Sequence, residues 1–70
     1  MAIDIENIFT YHAPEGDQPK RYEAIREGAK LLATIIVNNT PPCADQTAAI
    51  RKLRECVMTA NASIALKGSV

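Results

Sequence analysis

Pro41-Pro42 divides the chain between two stretches whose apolar residues recur every three or four positions. Proline cannot continue a helix, and the residue before it is pushed toward extended backbone. Asn39-Thr40-Pro41-Pro42 therefore ends one helix, and a second begins a few residues later. A connection this short makes the two helices antiparallel neighbours. The first spans residues 19–39, with Asp17 as its N-cap and Pro19 in its opening turn. The second spans residues 44–66, with Asp45 in an acidic first turn and Lys67-Gly68 at its end. The expected fold class is all-α. Ala33 to Val37 is β-branched enough to read as a strand in isolation, but no segment has clean period-two alternation.

On the first helix Tyr22, Ile25, Ala29, Leu32 and Ile36 form a heptad stripe. Ala24, Gly28, Leu31 and Ile35 form a second. Two stripes make a wider apolar face than one partner helix covers. Gly28 costs about 1 kcal/mol against Ala in a helix interior. Close approach of a backbone or a ligand is a reason to keep it. On the second helix the stripe is Ala49, Leu53, Cys56, Val57, Ala60 and Ile64, which makes Cys56 a buried small hydrophobe. Ahead of the hairpin, Ile5, Ile8 and Phe9 give residues 2–9 one stripe of a short helix. Residues 10–18 carry Pro, Gly and Asp and read as an ordered loop. Residues 1–70 are one domain: a short helix and loop over 1–18, then the hairpin.

Size then argues against a solitary hairpin. A chain of about 60–70 residues hides only about 60 % of its unfolded surface. Ordering each residue costs roughly 1.5 kcal/mol. Here one Phe and no Trp supply the large core side chains. A homo-oligomer supplies the missing burial.

Charge narrows the partners. Eight Lys and Arg balance eight Asp and Glu, which disfavours a DNA-coating domain. Residues 1–18 hold Asp4, Glu6, Glu15 and Asp17 and no Lys or Arg. The acidic arm is expected to lie against the basic remainder, its own or a neighbour's. Cys43 and Cys56 are about 20 Å apart if the segment between them is helical, too far for a disulfide. With no CxxC and only one His, no metal site is expected. No apolar run approaches the length of a membrane span, and the acidic start does not resemble a signal peptide. A reduced, cytoplasmic setting follows as the expectation.

The catalytic inventory is poor. His12 is the only histidine, and no Ser or Cys has a recognisable nucleophile setting. The expectation is a non-enzyme with no cofactor. Glu23 and Glu27 interleave with Arg26 and Lys30 as an ion-paired, solvated face. The same residues admit a second reading. Phe9, Tyr11 and His12 cluster near the loop entrance, while Arg21, Arg26 and Lys30 follow on the first long helix. A nucleotide needs a flat ring to stack on and cations for its phosphates.

The stretch TYHAPEGDQPKRYEAIREGAKLLA, residues 10–33, resembles the opening of a phage family. The family is that of nucleotide sponges that block CBASS immunity, whose helical-hairpin domain is shared with a Thoeris antagonist. AAIRKLRECVMTANASIA, residues 48–65, resembles its second long helix. The resemblance implies a non-enzyme that binds cyclic oligonucleotide messengers and holds them from their effectors. It implies a hexamer of hairpins with pockets between protomers, one set for cyclic dinucleotides and another for cyclic trinucleotides. Carried over, Tyr11 stacks on a base and Arg26 meets phosphate. Gly28 falls where a small residue lines the pocket, and Lys67 serves the second pocket type. His12, Lys30 and Arg21 are neighbours with no firm family counterpart.

The expected function is thus sequestration of cyclic di- and trinucleotides, without cleavage, in the cytoplasm of the infected host. The alternative is a helical oligomerisation or protein-interaction module with no nucleotide ligand.

Overall fold

The computed structural model describes residues 3–68 and contains three helices and no strand among them. They are α1 (Ile5–Ile8), α2 (Gln18–Asn39) and α3 (Ala44–Ala65). The two long helices lie within one residue of the sequence expectation at each end. Ala33 to Val37 is helical. Of the expected first helix over 2–9, only one turn forms, and Ala2 lies outside the described residues. Asp4 caps that turn by accepting from the Asn7 backbone N–H at 3.0 Å.

α2 and α3 pack on each other as an antiparallel hairpin. The half-buried residues of α2 are Tyr22, Ile25, Ala29, Ala33 and Ile36. This corrects the expected stripe at one position. Leu32 is 46 % exposed, and Ala33, a further 100° around the helix, faces α3 in its place. On α3, Ala49, Leu53, Val57 and Ala60 face inward with the buried Ile64. Cys56 is a second correction: it is exposed, and so is Cys43, both as free thiols. One residue before Val57 on a 100° rotation, Cys56 sits at the flank of the stripe, beyond the width that α2 covers.

A glutamine clasps each end of the rod. At the turn, Gln46 Nε2 donates to the Thr40 carbonyl and hydroxyl oxygens, each at 3.1 Å. At the open end, the buried Gln18 donates through Nε2 to the Ile64 carbonyl at 3.2 Å. Both extend the apolar stripes by one turn: Gln18 lies four residues before Tyr22, and Gln46 three before Ala49. Asp17 occupies the N-cap position of α2 without a capping hydrogen bond and faces Arg21 at 3.9 Å instead.

The result is slender, 42 × 27 × 17 Å. Its radius of gyration is 15.0 Å, against about 11 Å for a compact chain of this length. It exposes 5609 Å², against about 4,300 Å² for a compact monomer of this mass. The second stripe of α2 explains much of the excess. Leu31 is 64 % exposed, and Ala24, Gly28 and Ile35 are exposed beside it.

Candidate ligand-binding site

The loop between α1 and α2 folds back on the end of α3. Gln18 organises it from within the first turn of α2. Its backbone N–H donates to the Glu15 carbonyl at 3.0 Å, and its side-chain Oε1 accepts from the Glu15 N–H at 3.1 Å. Glu15 then reaches across to form an ion pair with Lys67. Lys67 is placed by the end of α3. The Lys67 and Gly68 N–H groups donate back to Ile64 and Ser63, and both residues take positive φ, 54° and 73°. This left-handed exit satisfies the last carbonyls of the helix.

Between loop and helix end lies an open cleft of about 260 Å³. Tyr11, His12, Glu15, Gln18, Ala65 and Lys67 line it, with Ala13. Tyr11 is 83 % exposed at its edge, with a ring face free to stack. His12 is held by its Nε2 against the Asn7 carbonyl at 2.6 Å. A carbonyl only accepts, so Nε2 carries the proton of that bond. The Lys67 ammonium holds the Glu15 carboxyl below the ordinary glutamate range, through their hydrogen bond first and charge attraction second.

Three expected site residues therefore meet here: Tyr11, His12 and Lys67. The other three lie along α2, outside this cleft. Arg26 is exposed, and its side chain has no ion pair or hydrogen bond among the described residues. Lys30 faces Glu27 at 3.7 Å, an exposed pair of the kind the charge pattern suggests. Around Gly28 no atom lies within 4 Å of where a Cβ would stand, so no group of the same copy needs the glycine. Arg26 and Gly28 are two residues apart, which puts them about 200° apart around the helix. They therefore face nearly opposite sides of α2.

Glu15 and Gln18 are the polar cleft residues that sequence reasoning missed. Gln18 carried a signal, a polar residue in register with the apolar stripe. Glu15 carried only the expectation that the acidic arm lies against basic residues, with nothing local to name Lys67 as the partner. Among the described residues no group of His, Cys, Asp or Glu is arranged to hold a metal ion. No described helix is long and apolar enough to cross a membrane.

The family model described as Acb2/Tad1, hairpin domain, matches residues 1–65. Neither a curated protein nor a solved structure matches the chain significantly. With nearly the whole hairpin under that match, the chain belongs to the Acb2/Tad1 hairpin-domain family.

Proposed function

We propose that this protein binds cyclic di- and trinucleotide second messengers of bacterial anti-phage immunity and sequesters them uncleaved. Effectors in the infected host's cytoplasm then go unactivated. Membership of the Acb2/Tad1 family supports the anti-defence role. The observation that carries the ligand class is Tyr11, an exposed aromatic ring at the edge of a cleft that also holds His12 and Lys67. Such a ring offers a base about 1–3 kcal/mol of stacking. Arg26, with no internal partner, is the cation for a phosphate. Lys30 lies one turn further along the same face.

Pockets form where copies meet, with Tyr11 from one and Arg26 from another. Gly28 lines such a pocket by leaving room at its wall. Lys67 serves a second pocket type for trinucleotides once Glu15 yields it. The assembly is a homo-oligomer, a hexamer on the resemblance. Ligand that bridges copies stabilises them by linkage. Balanced net charge limits stray binding to DNA.

Calorimetry with a panel of cyclic di- and trinucleotides tests the reading. Tyr11→Ala and Arg26→Ala should each weaken binding with helicity intact, and unchanged affinity in both removes the site. Heat-denatured complex should release the ligand intact; linear product would mean hydrolysis. The exposed Leu31 and Ile35 favour a second reading, an oligomerisation module without a nucleotide. A stable protein partner together with no thermal shift from any cyclic nucleotide would select it.

A further inference from the structure

We propose that the N-terminal arm of one copy docks into an arginine-lined cleft on α3 of a neighbouring copy. Two unpartnered surfaces carry this. The first is the arm. α1 packs on neither long helix. Ile3, Ile5 and Phe9 are 69, 65 and 83 % exposed. Glu6 beside them has no side-chain hydrogen bond or ion pair among the described residues. The second surface is a cleft of about 360 Å³ lined by Gln46, Thr47, Ile50, Arg51 and Arg54. Ile50 gives it an apolar floor. The side chains of Arg51 and Arg54 have no ion pair or hydrogen bond among the described residues. Met58, one turn beyond Arg54, is 63 % exposed and continues the apolar surface.

The two surfaces are complementary in both respects. One is apolar and acidic, the other apolar and basic. Of the four acids in residues 1–18, Glu15 and Asp17 have cationic partners within the chain, whereas Asp4 and Glu6 have none among the described residues. The occupant is not the same copy's arm, which packs on neither long helix and lines no part of this cleft. A second copy has the matching arm free. Because arm and cleft are different patches, the contact joins two copies reciprocally about a two-fold axis or runs head-to-tail and closes into a ring where the rotation allows. The inference concerns how copies join and needs no nucleotide.

Sedimentation velocity on charge-reversed variants tests it. Glu6→Arg alone and Arg51→Glu/Arg54→Glu together should each raise the dissociation constant of the assembly about tenfold or more. Combining all three substitutions should restore the wild-type mass, a recovery that misfolding could not produce. Wild-type mass in either reversed variant, no recovery in the combination, or a monomeric wild type would each overturn the docking. So would reversed arginines that abolish cyclic-nucleotide binding at unchanged mass, which would make the cleft a ligand site. Assembly rescued by the combination in a protein that binds no cyclic nucleotide would uphold the docking and refute the sponge reading alone.

Discussion

Gln18 and Ile64, 46 positions apart, are joined by a hydrogen bond from the Gln18 side-chain amide to the Ile64 backbone carbonyl at 3.2 Å. At 7 % and 6 % exposure they are the buried residues of the described chain. Through Gln18 the loop that carries Tyr11 is fixed to the end of α3. The stability of the hairpin's open end and the position of the candidate stacking ring therefore depend on this side chain together with the Glu15–Lys67 pair.

Gln18→Ala should destabilise the hairpin by about 1–3 kcal/mol, the cost of a half-buried N–H at Glu15 left without its partner. The Ile64 carbonyl keeps the Lys67 N–H, so the loss falls on the loop rather than on the end of α3. Thermal melts measure the total. Hydrogen exchange at the Glu15 amide should accelerate more than at amides in the middle of α2.

The Glu15–Lys67 pair gives the loop a pH dependence. The folded Glu15 carboxyl titrates below the ordinary glutamate value, so between the two values the unfolded chain binds more protons. The contribution of the pair is therefore complete at neutral pH and disappears as pH falls through the lowered folded value. A carboxyl NMR titration should show this low midpoint. Lys67→Ala should return it to the ordinary glutamate range. Both groups are largely exposed, so added salt should reduce the shift.

Gly28→Ala should stabilise the helix by about 0.5–1 kcal/mol, since a methyl group there meets nothing and the residue sits inside α2. If a ligand uses the space, cyclic-nucleotide affinity should fall while the melting temperature rises. Opposed changes in calorimetry and thermal melting are the expected signature. Unchanged affinity would remove Gly28 from the pocket.

Leu31→Glu with Ile35→Glu should leave the helicity of an isolated hairpin nearly unchanged, because exposed substitutions cost within about 0.5 kcal/mol. If the second stripe of α2 is buried between copies, the pair should break the assembly. Circular dichroism and sedimentation separate the two effects. Full-size assembly in the double variant would place the contact elsewhere.

The helices were legible in the amino-acid order because their determinants are local. Pro41-Pro42, Pro19 and the spacing of Tyr22, Ile25, Ala29 and Ile36 act within a turn or two. They set the type of each long element and its ends to within a residue. The second α2 stripe also announced an apolar face that one partner leaves open, and Leu31 and Ile35 are exposed.

Which residues meet across the chain was decided by the tertiary structure. The rotation of α3 against α2 put Cys56 outside and Ala33, rather than Leu32, inside. The path of the loop brought Tyr11 and His12 to Lys67 and left Arg26 and Lys30 elsewhere on α2. It also gave Lys67 to Glu15, a pairing that no local pattern encodes. Local hydrogen bonds and side-chain spacing suffice to make a helix. The meeting of residues some fifty positions apart depends on how two helices turn about their axes and where the chain between them runs.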